Sequence, residues 1–440
     1  MAELASMQKY ESYKDSGVDW LGDIPSEWNV TPGFNAYAEN KRNNKGMKEE
    51  RVLSLSYGKI IVKPKEKLVG LVPESFETYQ VVEPGDLIIR CMDLQNDKTS
   101  LRTGLSENHG IITSAYLNLK INERFDSKFL YYYLHSLDTT KVLYKFGTGL
   151  RQNLSFQDFY RLPVIDIPKN LQTAIANFLD KKTAQIDEAI AIKEKQIELL
   201  KERKQIIIQQ AVTQGLNPNT PMKDSGLDWV GQIPEHWEIE KLFGLCRFVR
   251  GNSAFAKDEL LSNGKYVALQ YGKTYKVDEI NNSFEFYVND EFYKESQVVN
   301  FGDIILISTS ETIEDLGHSA IYNRNNVGLL GGEQLLIKPN NDLLDPYYIY
   351  YSTKLFSKEL RKYATGIKVF RFNINDLKTI YTVVPPKEEQ VKIATYIKDS
   401  LDQVDRVINL QHQQIEKLKE YKTTLINSAV TGKIKVPGVV

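Results

Sequence analysis

DSGVDWLGDIPSEW, residues 15–28, returns as DSGLDWVGQIPEHW, residues 224–237, an offset of 209. A second pair lies further along: PKNLQTAIANFLDKKTAQIDEAI begins at Pro168 and PKEEQVKIATYIKDSLDQVDRVI at Pro386, an offset of 218. One unit has been duplicated end to end, with about nine more residues in the middle of the second copy. A two-fold repeat within one chain predicts a pseudo-symmetric molecule, matched to a target with two parts.

Each copy keeps the same order of parts: the Trp-containing segment, a stretch rich in Tyr, Phe, Gly and Asn, and a Pro-marked junction into a long helix. In the first copy VLSLSYGKIIV (52–62) and DLIIR (86–90) read as strands. Their counterparts are YVALQYGKTYKV (266–277) and DIILIS (303–308), with EPGD and NFGD as matching turns. KFLYYYLHS (128–136) and PYYIYYSTKLF (346–356) read as short buried helices, each after an Asp cap. The middles, near 30–165 and 240–383, are expected to be α+β domains. The Trp pairs, Trp20 with Trp28 and Trp229 with Trp237, read as packing anchors rather than as platforms for stacked bases.

No Gly or Pro occurs between 171 and 213, or between 388 and 431. Such a run makes a helix of about 64 Å at 1.5 Å per residue. Apolar residues alternate by four and three: Ile186, Ile190, Ile197, Leu200, Ile207 and Ala211, then Val404, Ile408, Ile415, Leu418, Leu425 and Ala429. That is a coiled-coil seam. Lys193 with Gln411, and Lys204 with Lys422, interrupt it at matching places, either as solvated flanks or as residues that set register. The second globular part starts where the first helix ends and finishes where the second begins, so the helices should run antiparallel. Residues 15–28 should then pack near the C-terminal end of the second helix. The expected fold class is α+β: two similar globular domains separated by a long antiparallel two-helix coiled coil, pseudo-two-fold symmetric. The expected parts are 1–167, 168–215, 216–385 and 386–440.

The 440 residues are 42% hydrophobic, enough for two domains with real cores. Net charge is −1, so no global basic field announces a polyanionic partner, though a local patch remains compatible with it. Cys91 and Cys246 sit at non-equivalent places, which argues against a disulfide framework or Cys-based zinc site and fits a reducing cytoplasm. No run of about 18 apolar residues predicts a membrane span, and the first residues show no secretory leader pattern.

Catalytic signatures fail one by one. GKT at 272–274 lacks the earlier Gly of a phosphate loop, since position 267 is Val. VPPK, 384–387, lacks the leading Asn or Asp and the closing aromatic of the amino-methyltransferase tetrapeptide. GLLGGE at 328 lacks dinucleotide-site spacing. His109, His135, His236, His318 and His412 are scattered, without metal-ligand spacing. No catalytic residue and no metal site is expected.

Two similar domains on a rod suit a ligand with two sites at fixed separation, and duplex DNA is the obvious one. Base edges are read by Arg, Lys, Asn and Gln. The first copy offers Lys41, Arg42, Asn43, Asn44 and Lys45, then Lys59, Arg102, Arg151, Gln152 and Asn153; the second offers Arg247, Arg250, Lys273, Arg324, Asn325, Asn326 and Lys368. GTGLRQNLSFQDF, from Gly147, echoes ATGIKVFRFNINDL, from Ala364, so that a Gly turn presents Arg151 or Lys368. Tyr-Gly-Lys occurs at 57–59 and again at 271–273.

The chain resembles the specificity (S) subunit of Type I restriction–modification enzymes. The carriers are the DSG-x-DW-x-G-x-IP-x-x-W segments, the TG-[LI]-[RK] loops, and the helix starts with Gln172, Ile175 and Ala176 or Gln390, Ile393 and Ala394. The ends Ala211-Val212-Thr213 and Ala429-Val430-Thr431-Gly432 match too. NLQTA in the first copy departs from the family's usual acidic residue before the Gln. The resemblance implies two target-recognition domains, each reading one half of a bipartite and here asymmetric DNA sequence. It also implies helices that set the gap and dock two methyltransferase subunits, with restriction subunits as further partners. S-adenosylmethionine, ATP and Mg would belong to those subunits, and this chain would need no cofactor of its own. Rival readings are an S-like subunit of a fused methyltransferase–nuclease, a DNA enzyme with an unrecognised site, and a coiled-coil adaptor that binds only proteins.

Overall fold

The computed structural model describes residues 7–64, 66, 75–94, 101–147, 152–253 and 255–437. The chain divides into two compact units: residues Met1–Glu194 with Gln411–Val440, and residues Lys195–Leu410.

In the first unit a four-stranded antiparallel sheet runs in the order Tyr37–Glu39, Leu117–Ile121, Leu87–Ile89, Thr103–Leu105. Leu87, Ile89 and Leu119 are fully buried and pack against the helix Ser127–Thr139. Asp126 caps that helix, its carboxylate accepting from Phe129 N. The second unit repeats this order with longer strands: Cys246–Arg250, Gln334–Pro339, Ile304–Ile307, Ser319–Tyr322, and then Glu279–Ile280. Its helix Pro346–Leu360 is capped by Asp345. A further sheet is confined to this unit: Tyr287–Val288, Tyr266–Leu269, Gly328–Leu330, Val298–Val299. In both units a short strand after the Trp segment pairs with the strand that leads into a long helix, Asn29–Pro32 with Pro163–Asp166 and Glu238–Lys241 with Tyr381–Val384.

The Tyr-Gly-Lys segments depart from the strand expectation. In the first unit the hairpin Leu53–Ser56 with Lys59–Val62 reverses at Tyr57 and Gly58, both at positive φ, 45° and 77°. That is the backbone a two-residue hairpin turn demands. In the second unit the strand ends at Leu269, whose carbonyl makes the last ladder bond, accepting from Gly331 N, and also takes Gln334 Nε2. Residues Tyr271–Thr274 then form one helical turn.

The long helices span Lys169–Gln214 and Lys387–Val430. Within the first unit their segments run antiparallel: Ile186 and Leu425 share one core, and Asp187 takes Lys422 Nζ at 2.7 Å. Within the second, Ile208, Ala211 and Val212 pack with Ile393, Ala394 and Ile397. There Lys204 Nζ meets Asp405 at 2.8 Å. Of the expected seam, Ile186, Ile197, Val404, Ile408, Ile415 and Leu425 are buried, while Ile190, Leu200 and Leu418 are half-buried. Ile207 is a correction: it is half-buried and Ile208 takes the core position. A straight helix drifts about 20° per heptad from a strict seven-residue repeat, so three heptads after Ile186 the buried side has moved toward the next residue.

Leu21, Ile24 and Trp28 pack with Leu425, Ile426, Ala429 and Val430, as the repeat predicts for residues 15–28. Lys433 Nζ donates to Leu21 O at 3.0 Å and Tyr13 Oη to Gly432 O at 3.1 Å. Trp237 is fully buried, and its Nε1 donates to Glu389 at 3.0 Å. The Trp residues at 28 and 237 are packing anchors.

Candidate nucleic-acid interface

In the second unit Arg250 and the segment Tyr271–Lys273 lie near the turn 331–334. Gly251 N donates to Gln334 O, which brings the end of the strand Cys246–Arg250, and exposed Arg250, to this turn. Glu333, at φ 65°, lies 3.9 Å from Arg371. Tyr271 stacks on Tyr275 with centroids 5.8 Å apart, and Lys273 Nζ lies 4.4 Å over Phe286. Burial, then Tyr275, Glu333, Glu311 and Asp315, push the Tyr271 phenol above its ordinary value. Aromatic faces and cations therefore alternate here, as single-strand and groove binders use them, with carboxylates between. Arg247 is exposed further down the strand, opposite Lys338.

In the first unit a series of pairings runs from Asn43 through Gln80–Val82 and Gly110–Ile112 to Val52. It aligns the basic loop 41–45 with the hairpin that carries Lys59. Tyr57, at the hairpin tip, is 72% exposed, and Lys41, Asn43, Lys45 and Lys59 are exposed. Lys41 pairs with Glu39 at 2.9 Å. Arg42 is half committed to the fold: its Nε donates to Asn40 Oδ1 at 3.0 Å and its guanidinium pairs with Asp86. Desolvation nevertheless pushes the Asp86 carboxyl up, and the same holds at the equivalent Asp303, which Lys338 grips at 2.6 Å. Each of these carboxylates also closes its turn, accepting from Glu83 N or Asn300 N.

Arg102 is a correction. It is fully buried; Nη1 donates to Arg90 O at 3.1 Å and Met92 O at 2.7 Å, and Nη2 to Asp93 O at 2.9 Å. A guanidinium spent on three carbonyls is a core cross-link. Arg324 is corrected for the same reason: it is buried, donating to Phe284 O at 2.7 Å and to the Tyr287 hydroxyl at 3.1 Å. Asn44 is buried as well, bonded to Glu49 and Phe76 carbonyls. Gln152 is half-buried at φ 48°, and Asn153 accepts from Asp93 N. Arg151 lies outside the described residues, whereas Lys368 is exposed.

The sequence reading missed Arg371, the apolar apex Ile367 and a duplicated exposed phenylalanine. Phe34 rests on Tyr160 at 5.0 Å, and at the equivalent place Lys378 lies 5.4 Å over Phe243. The 209-residue offset relates Phe34 to Phe243, a signal the repeat carried. Among the described residues no group of His, Cys, Asp and Glu could hold a metal ion. None of their helices is long and apolar enough to cross a membrane.

The family model of the Type I restriction modification DNA specificity domain matches residues 234–420. A Methanocaldococcus jannaschii protein, provisionally named the MjaX type I restriction enzyme specificity subunit, is 25% identical over 459 aligned residues, covering 99% of this chain and 100% of its own. Over its second half the chain thus matches the Type I DNA specificity domain, and over its whole length it is similar to a Type I specificity subunit. The fold of this chain is shared by two solved structures. One, from work on complex assembly and conformational transition of the type I R-M system, matches with a TM-score of 0.70 at 15% identity, over 92% of this chain and 98% of its own. The other, the HsdS subunit of Thermoanaerobacter tengcongensis, gives 0.53 at 14% identity, over 93% and 98%.

Proposed function

We propose that this chain is a specificity subunit that supplies the address for a Type I complex and performs no covalent step itself. Each recognition domain, within 1–167 and 216–385, reads one half of an asymmetric bipartite DNA target. The helices at 168–215 and 386–440 form a two-helix coiled coil that sets the spacer and docks two methyltransferase subunits; restriction subunits join that assembly in the cytoplasm. The observation that carries this reading is the repeated frame with unlike surfaces. The sheet order, Asp caps and helix junctions recur, while the surfaces offered to a ligand differ: Lys41 and Asn43 in one unit, Arg250 and Arg371 in the other, with the shared Tyr-Gly-Lys at a hairpin tip in the first (Tyr57, Lys59) and on a helical turn in the second (Tyr271, Lys273). Phosphate contacts from the lysines give salt-dependent grip, and base contacts give sequence choice. Leu199 and Ile206 support the docking role: they are spaced by seven on one helix of the second unit, and each is about half exposed. The test is co-expression with the candidate methyltransferase subunit, followed by mapping of methylated adenines. A single split motif with a fixed gap is expected. A complex that assembles yet leaves DNA unmethylated and unbound overturns the DNA-reading role in favour of a protein adaptor.

A further inference from the structure

Ile367 is 95% exposed, the highest value among the exposed large hydrophobic side chains of the described residues. It sits near the apex of a short loop pinned at both ends. Thr365 N donates to Arg371 O and Arg371 N to Thr365 O, each at 2.9 Å. Beyond the pin, Phe370 and Arg371 pair with Ser310 and Thr309, and Phe372 is buried. Gly366 turns the chain at φ 114°, where a Cβ would meet Val369 O at 2.0 Å, so no other residue fits. The loop is thus a fixed projection. Turn apices ordinarily take Gly, Asn, Asp or Ser; here a β-branched aliphatic side chain is held out into solvent between exposed Lys368 and Arg371.

The repeat adds an independent observation. The first copy carries Thr148-Gly149-Leu150-Arg151 where the second has Thr365-Gly366-Ile367-Lys368. After this the sequences part, QNLSF against VFRFN. Two domains that read different half-sites have no reason to share a base-reading residue, so what both retain serves something common to any duplex. An aliphatic tip with a cation beside it fits a base step flanked by phosphates: aliphatic wedges partly unstack a step and kink the helix, while cations hold the backbone.

We propose that Ile367 is an apolar wedge entering a base step of bound duplex DNA, with Lys368 and Arg371 on the neighbouring phosphates, and that it senses how easily the step deforms rather than which bases form it. This rests on the DNA-reading role proposed above.

The experiment uses the full chain in complex with its methyltransferase subunit, on duplexes carrying the mapped motif. A 2-aminopurine scan finds the unstacked step, and end-labelled duplexes report the bend. Ile367→Ser should abolish the 2-aminopurine signal, reduce the bend and weaken binding about tenfold, and Ile367→Leu should restore all three. Replacing the scanned step in wild type should favour pyrimidine–purine steps, which kink most easily, and Ile367→Ser should flatten that preference. Lys368→Ala should keep the bend and lower the salt slope by about one. The wedge is overturned if Ile367→Ser leaves bend and affinity unchanged. It is also overturned if the variant weakens assembly with the methyltransferase subunit without DNA, which makes the loop a protein contact. If the wild-type complex binds no duplex selectively, the proposed function itself has failed, a result separable from failure of the wedge alone.

Discussion

Replacing Gln390 by alanine should destabilise the second unit by about 3 kcal/mol, because its side chain ties three segments together where nothing can replace it. It is fully buried. Its Oε1 accepts from Asp345 N at 2.8 Å, and its Nε2 donates to Pro385 O at 2.9 Å and Leu343 O at 3.1 Å. Leu343 is exposed, so water can satisfy its carbonyl. The other two groups are buried or half-buried, and stranding such a group costs about 1–3 kcal/mol. For a unit of about 200 residues, 1 kcal/mol moves Tm by about 2–4 °C, so a drop of about 6–12 °C is expected. Hydrogen exchange should place the loosening at the first turns of the helices Pro346–Leu360 and Lys387–Val430. Gln390→Glu sharpens the test. One carboxylate oxygen can still accept from Asp345 N, but the other faces two carbonyl oxygens, so its folded pKa is raised. Keeping it protonated at pH 7 costs about 3.7 kcal/mol from an ordinary value of about 4.3. Relative to wild type, the penalty is therefore absent below that ordinary value and grows as pH rises toward the folded one. Gln172, with Asp126 N and Ile167 O each at 2.8 Å, should behave alike in the first unit. A fall of under about 2 °C for Gln390→Ala, or a glutamate variant no worse than alanine at pH 7, would refute the clasp.

Arg102→Ala should cost the first unit about 3 kcal/mol in urea unfolding, since three carbonyls lose a charged donor. DNA affinity per folded molecule should hold, which a binding titration corrected for folded fraction would check. His135 is buried, and desolvation with the nearby Lys422 lowers its pKa to about 4. The unfolded chain binds that proton more readily, so the stability from neutral His135 is complete above about pH 6.5 and is lost as pH falls toward 4. Its span is about 3 kcal/mol, and the pH profile of unfolding for His135→Leu should be flatter over that window. The ion pairs Lys422–Asp187 and Lys204–Asp405 are 28%/45% and 27%/49% exposed, so solvent screens both. Double-mutant cycles should give a coupling of under about 1 kcal/mol for each, similar in the two units.

The parts legible in the sequence are those fixed by local rules. A stretch without Gly or Pro and with four–three apolar spacing can only be a long helix, and Asp126 and Asp345 announce helix starts through their carboxylates. The duplication made the Trp anchors readable, because a second copy of residues 15–28 follows the first helix directly. What failed needed tertiary knowledge. Arg102 and Arg324 look like surface cations until neighbouring loops bring carbonyls to their guanidinium groups. The second Tyr-Gly-Lys leaves the strand because Gln270 O takes Lys273 N and Thr274 N, each at 2.9 Å, and closes a helical turn there. Ile367 is illegible in the sequence, because only exposure distinguishes an aliphatic residue that packs from one held out.

The seam shows how far two copies of one sequence have become unlike. Under the 218-residue offset Asp187 answers to Asp405 and Lys204 to Lys422, so the ion pairs Lys422–Asp187 and Lys204–Asp405 are one interaction made twice. Either copy could supply either partner. Lys193 and Gln411 differ in kind: they are one position of the repeat, and they meet each other, Lys193 Nζ donating to Gln411 Oε1 at 3.1 Å and also to Gln414. A position that faces its own copy must be self-complementary as long as the copies are identical. Lysine there would set two ammonium groups together in a partly buried seam, and like charges so placed repel. Lysine opposite glutamine satisfies both side chains, but only when one helix comes from each half. At this pair the copies have ceased to be interchangeable, and the chain specifies pairing of its first helix with its second over pairing of the first with itself.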